Sequence, residues 1–174
     1  MTSPVDLISL SPQDIAQRLP ELTDILVDSV NGGASVSFML PFHPDKAVAF
    51  WQKVALSVAA GERTVLAAVQ DGRLIGTVQL ITDLPENQPH RGEVAKLLVH
   101  SCARRQGIAR LLMEALEGEA KQQGKTVLVL DTATGSGAET FYRRCGWEKA
   151  GEIPRYALMP EGALTATSVF YKFV

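Results

Sequence analysis

The apolar positions of this chain change period several times, and each change marks an element. Ile15, Leu19, Leu22 and Leu26 recur at helical spacing behind Ser11-Pro12, a capping hydroxyl followed by proline at the first helical position. Pro20 falls inside that stripe and predicts a kink or a split. Residues 30–42 (VNGGASVSFMLPF) are rich in glycine and serine and predict an irregular loop. A second helix begins at Pro44, carries Val48, Trp51, Ala55 and Val58 on one face, and ends at Gly61. Trp51 at this spacing is expected in the core. The period then shortens. Residues 64–69 and 74–80 read as strands joined at Asp71-Gly72, a dipeptide favoured in tight hairpins. Residues 82–91, with two prolines, form a loop, and residues 93–99 are a third strand.

The clearest helix follows, with Ile108, Leu111, Leu112, Ala115, Leu116 and Ala120 at spacings of three and four. Residues 126–130 form a short apolar run suited to a buried strand. Residues 138–144 read as a helix ended by Gly146, and residues 167–173 as a last strand. Hairpin strands followed by strand–helix–strand–helix–strand predict an α+β (mixed α/β) domain built on one sheet. No repeat or linker divides the chain, so residues 1–174 are expected to form a single domain.

Composition narrows the function classes. The chain is 46% hydrophobic and 21% charged, an ordinary globular balance, and its net charge of −2 argues against a nucleic-acid partner. No apolar stretch approaches the roughly 20 residues that span a bilayer, so no membrane partner is expected. The start, MTSPVDLISL, lacks the basic residues and apolar run of a secretory signal. Two cysteines, Cys102 and Cys145, and three histidines, His43, His90 and His100, show no metal-ligand spacing. No metal is expected, and the cytoplasm is the expected compartment.

The stretch between the third strand and the long helix carries the most specific chemistry. It reads Arg104-Arg105-Gln106-Gly107-Ile108-Ala109-Arg110. A helix N-terminus presents unpaired N–H groups and the positive end of the dipole, Gly107 and Ala109 leave the backbone open, and the arginines add charge. On these general features the segment suits either a diphosphate site or a plain strand-to-helix turn with solvated arginines. Two rivals are weaker. Gly124-Lys125-Thr126 mimics the tail of a nucleotide-binding P-loop, but Glu119 stands where that motif needs glycine. No dinucleotide fingerprint occurs at a strand–helix junction.

Arg104, Gly107 and Ala109 fill the pattern Gln/Arg-x-x-Gly-x-Gly/Ala and thereby resemble the diphosphate-binding signature of the GCN5-related N-acetyltransferase (GNAT) superfamily. The stretch from Ala138 through Phe141-Tyr142 to Gly146-Trp147 is similar to that family's later helix. Many members carry asparagine seven residues before the tyrosine; this chain has Gly135. Within the superfamily the likeness is to tabtoxin-resistance acetyltransferases. It is carried by residues 30–36, 93–97 and 130–132, Phe141-Tyr142 and residues 151–154.

The resemblance implies a mostly antiparallel central sheet with a splayed central strand pair, flanked by helices, and acetyl-CoA as co-substrate. It implies cofactor contacts from Leu98 and Val99 on the splayed strand, from Arg104, Arg105, Gln106, Gly107, Ile108, Ala109 and Arg110 in the turn, and from Ala138. A backbone N–H near Leu98 would polarise the thioester carbonyl. Asn31, Ser35 and Ser37 become candidates for the acceptor pocket, and a homodimer is plausible by the same likeness.

Acetyl transfer to an amine requires a base for the ammonium proton and a donor to the departing sulfur. Glu93 and Asp131, at strand ends that the resemblance brings to one cleft, are both candidates for the base; strand-end carboxylates also serve as ordinary solvated groups. Tyr142 is the candidate acid, or else a packing residue. Cys145 has no histidine nearby in sequence and is expected to be inert, with transfer direct rather than through an acyl-enzyme. The expected function is N-acetylation of a small amino-acid-like amine, with toxin detoxification one possibility. Acetylation of a protein or peptide amine and non-catalytic acyl-CoA binding are the alternatives.

Overall fold

The computed structural model describes residues 2–174. The elements run β1 (Val5–Ser9), α1 (Pro12–Gln17), α2 (Leu19–Asn31), α3 (Pro44–Ala59), β2 (Arg63–Gln70), β3 (Arg73–Ile81), β4 (Arg91–Val99), α4 (Ile108–Gln122), β5 (Val127–Ala133), α5 (Gly137–Arg144), β6 (Glu148–Leu158) and β7 (Leu164–Phe173). They build one seven-stranded sheet in the order β1-β2-β3-β4-β5-β7-β6. All neighbours are antiparallel except β4 and β5.

Helices cover both faces. Leu22, Ile25, Leu26 and Trp51 from α2 and α3 pack on Val65, Ala67 and Leu74 of the sheet. On the other face Ile108, Leu112, Met113 and Leu116 of α4 pack with Leu80, Leu128 and Phe170, and Tyr142 of α5 joins them. The buried stripe of α4 is centred on the four-residue spacing from Ile108 to Ala120; Leu111 lies well round the helix and is exposed. Trp51 is fully buried and its indole N–H donates to the Leu22 carbonyl at 2.9 Å, tying α3 to α2.

The first helical stripe does divide, at Arg18, leaving Pro20 inside the first turn of α2. Ser11 caps α1 with a reciprocal pair: Asp14 N–H to the Ser11 hydroxyl at 3.0 Å and Ser11 N–H to the Asp14 carboxylate at 2.9 Å. The loop expected over 30–42 begins later, because α2 continues through Asn31 and buries Val30. Asp71 and Gly72 both take positive φ, as the expected tight hairpin needs. Two strands were not legible. β1 is five residues on one edge, and β6 is an almost wholly exposed edge strand containing Pro154, so neither shows an apolar alternation.

Candidate functional site

The parallel pair β4–β5 is zipped only at its start, through Arg91↔Val127, Gly92↔Leu128 and Glu93↔Val129. A Cβ on Gly92 would stand 2.8 Å from the Leu80 side chain and 3.0 Å from that of Leu128, so glycine permits this close junction. Beyond it β4 stays with β3 while β5 continues along β7, and the two strands part. A cleft of about 560 Å³ opens there. Its wall combines residues 33–37 and Met39 of the loop after α2, residues 94–97 of β4, residues 131–133 of β5, Ala138 and Tyr142 of α5, and parts of β6 and β7.

At the C-terminal end of β4 the chain makes a single 3-10 turn (Ser101–Ala103) and enters α4 through Gly107, at φ +76°. No side chain caps α4, and no acidic residue occupies its first turn. Among the described residues, the N–H groups from Gly107 to Arg110, at the entry to α4, donate to no protein acceptor. A Cβ on Gly107 would meet nothing within 4 Å, so the turn faces open space. A row of free amides at the positive end of a helix can hold an anion.

The arginines divide their roles. The Arg104 guanidinium turns back to the Val99 carbonyl at 3.3 Å and lies 3.7 Å from Asp28. Arg110 pairs with Glu114 at 2.9 Å, and Arg105, at φ +61°, is exposed. Asp28 anchors the turn to α2 by accepting the Ser101 N–H at 2.9 Å and its hydroxyl at 2.6 Å. Burial works against the Asp28 charge, but the Ser101 bonds, His100 and Arg104 outweigh it and hold its pKa below the usual value. Gln106 is exposed, whereas Ile108 and Leu98 have buried side chains and can offer only backbone to a ligand.

Of the three candidate catalytic groups, two share the cleft. Asp131 lines it and accepts the Thr167 hydroxyl at 2.6 Å. Tyr142 lines it from the opposite helix, 8% exposed, against Phe141, Trp147 and Phe170. Burial, then Cys145 and Asp131, push the Tyr142 phenol up to about 12. Glu93 lies outside the cleft wall, its carboxylate 2.9 Å from the Arg91 guanidinium. Burial raises the pKa of the Cys145 thiol, which keeps it protonated and a poor nucleophile.

The α5 helix is fixed by Glu139, which accepts the Gly135 N–H at 2.7 Å and lies 2.9 Å from Lys149 of β6. The Gly135 N–H first, then Lys149, hold its pKa down at about 2. Of the candidate acceptor residues, Ser35 and Ser37 line the cleft; Asn31 closes α2, is exposed, and stands outside the wall. The loop carrying both serines is pinned by aromatic contacts, Phe38 to Phe42 at 4.8 Å and Phe38 to Phe50 at 5.5 Å. One wall residue was overlooked in the sequence. Lys96 interrupts the otherwise apolar run 94–99, and that interruption was its signal.

Among the described residues, no group of three or more His, Cys, Asp or Glu side chains is placed to hold a metal, and no helix is long and apolar enough to cross a membrane. The open amide row and the parted strands fit the diphosphate and the extended arm of an acyl-CoA. Comparison with known proteins agrees. Residues 22–147 match the model of the Acetyltransferase (GNAT) family. An uncharacterized N-acetyltransferase of the hisH-hisA intergenic region of Azospirillum brasilense is 30% identical over 115 residues, 65% of this chain and 67% of that protein. The ribosomal-protein-alanine N-acetyltransferase of Brucella melitensis superposes with a TM-score of 0.80 at 22% identity, covering 97% of this chain and 99% of that one. The yncA protein of Salmonella typhimurium, solved with its cofactor acetyl-CoA, gives 0.78 at 18% identity, covering 98% and 94%. At such identities these two structures speak for the fold alone. The family match covers most of the chain, including the amide turn and the cleft-lining helix α5: the protein belongs to the GNAT family and is an acetyl-CoA-dependent N-acetyltransferase.

Proposed function

We propose that the acceptor is a small amino-acid-like amine, and that the enzyme resembles tabtoxin-resistance acetyltransferases in detoxifying such a compound. One observation carries this reading: Asp131 and Tyr142 face a single cleft of about 560 Å³, the scale of a small-ligand pocket. The serine-bearing loop and the β6–β7 hairpin wall it on two sides.

Bound acetyl-CoA supplies the acetyl group as a thioester, and the acceptor nitrogen bonds to the acyl carbon as the C–S bond breaks. The chain contributes three things. The amides of the turn from Arg104 to Arg110 hold the diphosphate, and the β4 backbone at Leu98 and Val99, with Ala138 opposite, flanks the arm. Asp131 takes the proton from the acceptor ammonium, whose ordinary pKa is near about 10. Glu93, held by Arg91 away from the wall, is the second choice for that proton. Tyr142, protonated throughout the neutral range, donates a hydrogen bond to the departing sulfur. Complete transfer to a thiolate of pKa near about 8.5 is uphill from a phenol at about 12, so solvent completes the protonation.

Radiolabelled acetyl-CoA offered with free amino acids, simple amines and peptides tests the reading. Turnover on free amino acids supports it, and turnover confined to peptides overturns it. Aspartate-to-asparagine at 131 against E93Q separates the two bases, the larger loss of kcat marking the base. The proposal includes a homodimer, for which the exposed Ile153, Leu158 and Leu164 of the β6–β7 hairpin offer an apolar face; sedimentation at monomer mass would exclude it.

A further inference from the structure

The cleft wall contains one carboxylate, Asp131, and one cation, Lys96, and the mechanism above leaves the cation unused. Lys96 reaches the cleft through a local irregularity. On β3, Thr77 pairs with Leu98 and Gln79 with Ala95, so Lys96 and Leu97 together oppose Val78 in a bulge. Lys96 there adopts φ +54°, a left-handed conformation that strains a non-glycine residue. Regular alternation would place it on the face of Val94, in the α4-side core. The bulge instead turns it toward the loop after α2.

The ammonium then has little company. Its hydrogen-bond partner is the neutral Ser37 hydroxyl at 3.2 Å, and it lies 5.8 Å from the centre of the Phe50 ring. Among the described residues no carboxylate comes within ion-pair distance of it, Asp131 included. Arg63, the nearby guanidinium, is engaged by Gln79 at 2.7 Å and Ser57 at 2.9 Å. Desolvation, then the Arg63 charge, lower the Lys96 pKa, while Asp131 opposes them. A half-buried cation without a counter-ion is poorly compensated, and an arriving anion would relieve it.

We propose that Lys96 binds the carboxylate of the acceptor, so that the substrate is an amino acid or close analogue with a free carboxylate at Lys96 and its amine toward Asp131. This rests on the small-acceptor reading and sharpens it. A cation and a carboxylate in one wall, with no ion pair formed between them, complement a zwitterion. Lys96 is on this account a specificity residue that touches the acceptor and takes no part in proton transfer.

Steady-state kinetics on free amino acids, their carboxamides, n-butylamine and short peptides tests the inference with the unmodified enzyme. A charge-assisted hydrogen bond predicts that the best amino acid exceeds its own carboxamide about 10- to 150-fold in kcat/KM. Lys96→Met should erase that preference by raising the acceptor KM, with kcat and the KM for acetyl-CoA within about threefold. Lys96→Arg should restore part of it. Equal use of acids, carboxamides and n-butylamine would overturn the carboxylate role and leave the small-acceptor reading standing. Activity on peptides alone would overturn both. A collapse of kcat in K96M at unchanged acceptor KM would make Lys96 a proton-transfer group and sink the inference. Because the acid-to-carboxamide ratio needs no variant, misfolding of K96M would not rescue it.

Discussion

Gly107 lets backbone strain and ligand exclusion be measured apart. It sits at φ +76° with open space around the position of a Cβ, so G107A meets no steric clash inside the protein. Its cost to stability is the left-handed penalty alone, about 1–2 kcal/mol, with valine worse because branching at Cβ crowds the same conformation. The effect on acetyl-CoA should be larger and separate. The new methyl enters the open space beside the free amides at the start of α4. Losing two charge-assisted hydrogen bonds there, at about 1.5–3 kcal/mol each, lowers affinity by roughly 10²- to 10⁴-fold. Calorimetric titration of wild type, G107A and G107V with acetyl-CoA gives the affinity, and urea unfolding of the same proteins gives the strain. Affinity within threefold of wild type in G107V, with stability reduced as expected, would refute the turn as the diphosphate site. The strain would then be real and the amides irrelevant.

Tyr142→Phe keeps the packing against Trp147 and Phe170 and removes only the hydroxyl; kcat should fall about 10- to 150-fold with acetyl-CoA affinity nearly unchanged, and full activity would remove Tyr142 from the chemistry. With its pKa at about 12, Tyr142 should contribute no alkaline limb to kcat below about pH 11. Glu139→Gln should destabilise the fold by about 1–2 kcal/mol at neutral pH. Because the folded pKa of Glu139 is depressed, its contribution is complete above the ordinary glutamate value of 4.5 and disappears as pH falls toward about 2. Thermal melts should therefore show the wild-type and E139Q curves converging in acid, and a pH-independent gap would show that the carboxylate charge is not what holds α5. Trp51→Phe removes a fully buried indole and its bond to the Leu22 carbonyl, so the urea midpoint should drop by the equivalent of about 2–4 kcal/mol.

What could be read from the chain follows from where physics is local. The hairpin at Asp71-Gly72, the capped start at Ser11-Pro12 and the stripe of α4 are each decided by residues within one or two turns of each other, and each formed where the pattern placed it. The Arg104–Arg110 turn was legible for the same reason, since a strand end, a glycine and a helix start are neighbours in sequence. β6 was not, because an edge strand with one partner and a solvated outer side carries no apolar alternation. Leu111 was misassigned to the buried stripe because three-residue spacing drifts round a helix that four-residue spacing follows more closely.

The site itself is less local, and this explains the different fates of its candidates. Asp131 and Tyr142 line one cleft because β5 and α5 are joined by a few residues and both face the gap that β4 leaves. Glu93 belongs to the last zipped pair of that gap, so its side chain leaves the strand before the walls part and finds Arg91 instead. Lys96 lies three residues further on, where the walls have parted, and a strict two-residue period would have sent it into the core. One extra residue opposite Val78 reverses that outcome. Sequence patterning can flag a lysine in an apolar strand as anomalous, but the bulge that resolves the anomaly is fixed by the register between β3 and β4. That bulge lies just beyond the last β4–β5 pair, so the stretch of β4 that leaves its parallel neighbour is also the stretch that presents the cation proposed to meet the acceptor.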